Sequence, residues 1–363
     1  MRMINQVGRA NSIVFPCGVG LTVLLYQLCH LTAVHADEAF PTTAEIKASI
    51  QKSIPLLEKG ARGSLQQRKQ CFNCHNQGLP VIAMTAAKSR GIAVDSELYT
   101  ELVQFTAEFL NRNRQRYRDG QGQGGQIDTA GYALWTLEKG GWTPNETTAA
   151  VAEYLLIHQN QLDHYESEAN RPPGEQSDFT STYVALRGLK VFGTVEQREL
   201  IEARIERIRE WLLKTDPLDN EDRVFRLRTA QLLGLPDDVV RQASNLLKNT
   251  QNSDGSWSQT AEMAGDAYAT GTALVGLHEA GGLATDDPIY RSGMAYLISQ
   301  QGEDGSWHVV SHAKPFQSYF ESGYPHGKDQ FISSAAASWC TIALALALPD
   351  TATVSDSPVF PAR

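Results

Sequence analysis

One short motif occurs twice, fifty residues apart: Gln251-Asn-Ser-Asp254-Gly255-Ser256-Trp257 returns as Gln301-Gly-Glu-Asp304-Gly305-Ser306-Trp307 with the same internal spacing. A period of this length marks an architecture of repeated units, each too small to bury its apolar face alone. A second element alternates with the first. Small-residue segments follow Asp128 (Tyr132-Ala133-Leu134, Leu137), Asp178 (Tyr183, Ala185-Leu186, Leu189) and Asp266 (Tyr268, Thr272-Ala273-Leu274, Leu277), with apolar positions three and four apart. That spacing predicts short helices buried on every side.

Longer, charge-rich helices are predicted between them, over 43–70, 96–118, 145–161, 195–214, 237–249 and 287–301, each with one polar face suited to solvent. The apolar partners are predicted to begin near Gln77, Thr129, Asp178, Asp222, Asp266 and Ile332, giving six outer-then-inner pairs and no run of period two. Inner helices of Ala, Gly, Thr and Leu can approach closely while charged outer helices shield them. The expected fold is all-α: an (α/α)6 toroid, or an arc of one, over 37–350, with a tail from 351 to 363. Gly255 and Gly305 follow Asp in tight turns, and Asp254, Asp304, Trp257 and Trp307 are expected to serve turn geometry and packing.

The Gln-x-x-Asp-Gly-Ser-Trp segments and the Asp266-x-Tyr268-Ala-Thr270-Gly-x-Ala273-Leu274 helix resemble the QW-type repeats of squalene-hopene cyclases and protein prenyltransferase β-subunits, over about residues 120 to 350. The resemblance implies an α/α toroid. Function does not travel with fold. Cyclases of that type protonate a terpene with Asp-x-Asp-Asp, which is absent: Asp237-Asp238 and Asp286-Asp287 lack the partner two residues earlier. Prenyltransferases hold zinc with Asp-x-Cys, whereas Cys340 follows Ser338-Trp339. The chain therefore does not read as an Asp-x-Asp-Asp terpene cyclase.

Cys71-Phe-Asn-Cys74-His75 is the sharpest chemical signal. Two thiols so spaced can add across the two vinyl groups of a haem, and the next imidazole can then ligate the iron as proximal ligand. A zinc site would need a fourth ligand, and a thioredoxin-like pair would want a βαβ context. The remaining alternative is a Cys71–Cys74 disulfide. A small cytochrome c domain would carry its own helices and a nearby Met; here Gly78-Leu-Pro80 leads straight into the first inner helix. Counted back from the aligned alanines, His75 falls on the same rim as Asp178 and Asp266. The arrangement resembles exported bacterial proteins that join one Cys-x-x-Cys-His to prenyltransferase/squalene-cyclase-like repeats.

For the opposite face of the iron, Met84, Met294 and His278 read as helix residues, and His158 and His164 are further histidines. Met263, His308, His312 and His326 lie in loops leading to inner helices and are the distal candidates; an open position is the alternative. The longest connection, from Trp307 to Phe331, is rich in aromatics and is expected to cover the cavity mouth or close the last repeat on the first.

Arg2, Arg9, an apolar stretch from Ile13 to Tyr26 and Val34-His35-Ala36 read as a secretory signal over 1–36, cleaved after Ala36, which places the protein in the periplasm or outside the cell. Export suits haem attachment, and the mature chain has no further apolar run long enough to span a membrane. The leader holds two arginines and no acid, so its loss deepens the net charge from −9 to −11, which disfavours nucleic acid as a partner. The sequence thus leads to an exported mono-haem c-type protein, acting by electron transfer with a periplasmic partner protein or by haem redox chemistry on a small molecule. The alternative is a non-catalytic toroid that binds an apolar ligand or a protein partner.

Overall fold

A computed structural model describes residues 40–314 and 319–351. The proposed signal sequence and the tail from 352 lie outside the described residues. Thirteen helices are present among those described: α1 (Thr43–Gln67), α2 (Leu79–Ser89), α3 (Ser96–Arg112), α4 (Arg114–Arg118), α5 (Gln126–Lys139), α6 (Glu146–Ile157), α7 (Asp178–Phe192), α8 (Arg198–Lys214), α9 (Asn220–Leu232), α10 (Asp237–Lys248), α11 (Ala267–Glu279), α12 (Pro288–Ser299) and α13 (Gln330–Leu346). None is long and apolar enough to cross a membrane.

Helices α2, α5, α7, α9, α11 and α13 form a closed inner ring, each packing on the next and α13 on α2. Small residues permit this approach. A Cβ added at Gly271 of α11 would lie 2.9 Å from the backbone nitrogen of Cys340 in α13, and one at Gly131 of α5 would lie 2.5 Å from Val184 Cγ2 in α7. Every residue of α13 from Ile332 to Ala345 is buried, as is Ala267 to Leu277 of α11. The outer helices bury one stripe each: α8 only Arg204, Ile208, Trp211 and Leu212, and α10 only Ala243, Ser244 and Leu247. This is the expected six-pair toroid. The outer segment predicted over 96–118 breaks at Asn113 into α3 and α4, and the one predicted over 145–161 stops at Ile157.

The repeated motif stitches the outer layer together. Gln251 Nε2 donates to Ile289 O at 2.9 Å, joining the end of α10 to α12; Gln301 Nε2 donates to Ser49 O at 3.0 Å, joining the end of α12 to α1 and closing the ring. Asp254 and Asp304 accept from the backbone nitrogens of Ser256 and Ser306, each at 3.0 Å. The buried Trp257 and Trp307 indoles donate to Leu247 O and Leu297 O at 2.9 and 2.7 Å. Gly305, at φ 90°, sits so close to α1 that a Cβ would approach Lys52 O to 2.4 Å. After the first copy, Trp257–Ser258 pairs antiparallel with Gly265–Asp266. Two-residue strands are too short to leave a period in the sequence, which is why none was expected.

Candidate functional site at one rim of the toroid

The six inner helices run parallel, so their N-terminal ends share one rim. Polar bonds between successive starts show it: Ser181 Oγ of α7 donates to Asp128 Oδ1 of α5 at 2.5 Å, Ser177 Oγ to Asp222 Oδ1 of α9 at 2.7 Å, and Asn220 Nδ2 of α9 to Ala269 O of α11 at 3.3 Å. Cys74–Gly78 enters this rim as one wide turn ahead of α2, with the Gly78 N–H reaching back five residues to Asn73 O at 3.3 Å. Such turns recur at functional sites. The turn is pinned on two sides: Asn73 Nδ2 donates to Ser64 Oγ of α1 at 2.7 Å, and Ser334 Oγ of α13 donates to His75 O at 3.0 Å. The Cys-x-x-Cys-His segment thus lies where the last repeat meets the first, on the rim the sequence assigned to it.

Cys71 is exposed, Cys74 is half-buried, and both thiols are free, so the two are not joined as a disulfide. The Cys74 thiol donates to Glu175 Oε1 at 2.6 Å, and Glu175 is ion-paired with Arg171. Burial first, then the Glu175 carboxylate, pushes the Cys74 thiol far above its ordinary range. His75 is 5% exposed, its ring edge-on to Phe331 at 5.6 Å and its Nδ1 3.8 Å from Cys74 Sγ. Burial, reinforced by Arg171 and Arg68, lowers its pKa to about 3, so the imidazole is neutral. Among the described residues, Cys74, His75 and Glu175 bring one ligand atom each within 4.8 Å of one another.

Glu175 and Arg171 escaped the sequence reading. They belong to the connection between α6 and α7, where Arg171 and Glu175 exchange backbone hydrogen bonds of 3.1 and 3.0 Å around Pro172-Pro173-Gly174. A stiff Pro-Pro-Gly turn between opposite charges is the signal that could have flagged them. This turn lies on a buried polar layer. A Cβ at Gly174 would stand 2.9 Å from Tyr268 OH, 3.3 Å from Glu221 Oε1 and 3.8 Å from Tyr132 OH. Glu221 Oε1 accepts from Thr180 Oγ1 at 3.0 Å and from Tyr268 OH at 3.2 Å, while its Oε2 has no hydrogen-bond partner. Burial, with Asp219 adding repulsion, raises Glu221 to about 8; burial and Glu175 raise Asp128 to about 7. Two carboxyl groups near this rim therefore hold or share a proton at neutral pH.

The distal candidates have other partners. His308 and His326 stack on each other at 4.4 Å; His308 Nε2 pairs with Asp329 Oδ2 and His326 Nε2 with Ser306 Oγ, each at 2.8 Å. His312 is exposed, and Met263 is half-buried in the loop between the two short strands. Among the described residues no hydrogen bond or ring contact joins any of the four to Cys74 or His75. The long connection packs on α1: Gln330 holds Ser322 and also donates to Phe320 O at 2.8 Å, Arg68 lies 4.6 Å over the Phe320 ring, and a Cβ at Gly63 would run into Ser322 O at 1.7 Å. It closes the last repeat on the first.

The chain shares this architecture with solved structures. It matches type II terpene cyclase MstE from Scytonema in its apo form at 14% identity and a TM-score of 0.52, over 85% of this chain and 100% of that one. A single-site variant of the same enzyme, in complex with the product merosterolic acid A, matches at 13% identity and a TM-score of 0.54, over 84% and 99%. The fold is that of a terpene-cyclase toroid. At this identity the likeness is one of fold alone. No family model matches the sequence, and no curated protein matches it.

Proposed function

We infer that the chain is an exported c-type haem protein on a terpene-cyclase-like toroid, with Cys71 and Cys74 bonding the porphyrin through sulfur and His75 giving its imidazole to the iron. One observation supports this reading: two free thiols separated by two residues are followed directly by a buried, neutral imidazole. The donor set suits the group. A thioether sulfur bears neither charge nor ionisable proton, so Cys74 in that form sits beside the Glu175 carboxylate without the repulsion a thiolate would meet there. Once bound, the group supplies one-electron redox chemistry. Arg171 holds Glu175 in place, and Asp128 and Glu221 offer protonatable carboxyls on the same rim. The redox partner is a periplasmic protein or a small molecule. Cyclase activity is not carried over from the structural neighbours, because the sequence has no Asp-x-Asp-Asp.

The test is expression with a haem-maturation system. The expected product stains for haem peroxidase on a denaturing gel and shows the added porphyrin in its intact mass; C71A/C74A does neither. Carbon monoxide then separates an enzyme-like open iron, whose ferrous spectrum shifts, from a closed electron carrier. A second reading rests on the approach of Cys74, His75 and Glu175: a mononuclear transition-metal centre with mixed sulfur, nitrogen and oxygen ligands. Protein lacking porphyrin mass but holding one equivalent of metal, lost in E175Q, would replace the haem reading with this one.

A further inference from the structure

The connection between α6 and α7 reaches across the N-terminal rim instead of passing around it. A Cβ on Gly174 would lie within 3.8 Å of side chains from three inner helices, Tyr132 of α5, Glu221 of α9 and Tyr268 of α11. Glu175, the next residue, accepts from Cys74 in the turn that opens α2. Pro173, Glu175 and Ser177 are buried, while Asn170 and Gln176 face solvent. One short segment thus touches four of the six inner starts and covers Cys74.

Its two ends are fixed. On one side Ser167 N donates to Asp178 Oδ1 at 2.8 Å and Glu168 Oε2 pairs with His158 Nε2 at 2.7 Å; on the other, Ser177 Oγ donates to Asp222 Oδ1 at 2.7 Å. Between these pins the backbone hydrogen bonds of 169–176 are internal, the two exchanged by Arg171 and Glu175. The ion pair of those two side chains is internal as well. The segment can therefore lift as one piece, taking the partner of its carboxylate with it, and what it gives up at Glu175 is the hydrogen bond from Cys74. The two thiols of the motif are consequently unequal. Cys71 is exposed, whereas Cys74 is half-buried and held at 2.6 Å from Glu175 Oε1. Access is one of the conditions for thiol chemistry, and the covering segment withholds it from Cys74 alone.

We propose that 169–176 is a lid over Cys74, latched by the Cys74–Glu175 hydrogen bond, so that the two thiols react in order: Cys71 first, and Cys74 only when the lid lifts. The lid follows from this geometry; its bearing on porphyrin attachment rests on the haem reading. In that reading each attachment forms one bond from sulfur to a vinyl carbon, breaks the S–H bond and the vinyl π bond, and places the proton on the other vinyl carbon, with no net oxidation. N-ethylmaleimide adds a thiol across its double bond in the same way and serves as the probe. In the full chain, Cys71 (read in C74A/C340A) is expected to react faster than Cys74 (read in C71A/C340A) by roughly tenfold or more. E175A, which removes the acceptor, should speed Cys74 by roughly tenfold, the loss of one hydrogen bond to a charged group. P172G/P173G loosens the turn without touching either partner of that bond and should also speed Cys74; neither change should alter the Cys71 rate. A parent Cys74 that reacts as fast as Cys71, or one that neither variant accelerates, overturns the lid. In a host with haem-maturation machinery, C71A should carry less porphyrin mass than C74A, and C71A/E175A should recover part of it; equal loading of C71A and C74A overturns the order. Porphyrin missing from the parent chain as well would remove the haem reading, and the maleimide rates would still decide the lid.

Discussion

Glu221 offers a direct measurement of what burial near the N-terminal rim costs. Its ordinary pKa of 4.5 rises to about 8 in the folded protein, chiefly because the carboxylate would be charged where water is excluded. Between those two values the folded chain keeps a proton that the unfolded chain has lost. Stability therefore falls as pH rises from 4.5 to 8, by about 1.4 kcal/mol per pH unit for this group. At pH 7 the accumulated cost is about 3 kcal/mol. Glu221→Gln removes the titration and keeps the geometry: the amide oxygen can accept from Thr180 and Tyr268 as Oε1 does now, and the amide nitrogen takes the place of the unpartnered Oε2. Urea unfolding at pH 5, 6, 7 and 8 should show the variant gaining on the parent with each step and exceeding it by several kcal/mol at pH 8. Asp128 titrates in both proteins and cancels in the difference. A stability difference that is flat across this range, or that turns against the variant, would refute the argument that Glu221 is buried as a neutral acid.

Other consequences are equally open to measurement. Trp307→Ala removes a fully buried indole and its bond to Leu297 O, and should lower unfolding stability by about 3–5 kcal/mol. Asp304→Ala loses only the turn bonds to Ser306 and should cost about 1 kcal/mol in the same assay. Gly63→Ala places a methyl group against Ser322 O, so the connection between Trp307 and α13 should lift from α1 and be cut faster by protease than in the parent, with the inner helices still protected. Cys340 is buried and donates to Ala267 O at 3.3 Å, far along the chain from the Cys71–His75 segment; in the haem reading, Cys340→Ser should keep the haem staining that Cys71→Ala and Cys74→Ala reduce.

The toroid was legible because its determinants are local and repeated. The fifty-residue return of Gln-x-x-Asp-Gly-Ser-Trp, the small-residue helices and the amphipathic stretches between them each follow from neighbouring residues. The placement of Cys71, Cys74 and His75 on the rim of the aspartates followed from the same count. What sequence could not show is cross-chain pairing. Glu175 is 101 positions from the thiol it accepts from, and Ser53 bonds Thr341 across 288. Arg171 and Glu175 lie in a loop of the sequence, and only the folded Pro-Pro-Gly turn brings Glu175 to Cys74.

The parallel inner ring also sorts charge by rim. Six aligned helices present partial positive charge where they start and partial negative charge where they end. The starts carry Asp128, Asp178, Glu221, Asp222 and the capping Asp266; the last turns carry Lys88, Lys139, Lys190 and His278. Each set opposes the local helix ends, as electrostatics requires. At the starts, however, burial outweighs the helix ends for Asp128 and Glu221, since both pKa values rise rather than fall. A cation arriving at that rim would change the balance: it would draw these carboxyls toward ionisation and release their protons. A positively charged iron at His75 is such a cation, so in the haem reading its oxidation should be accompanied by proton loss. The midpoint potential should then fall with rising pH between about 6 and 8, and Glu221→Gln should flatten that slope without removing the haem.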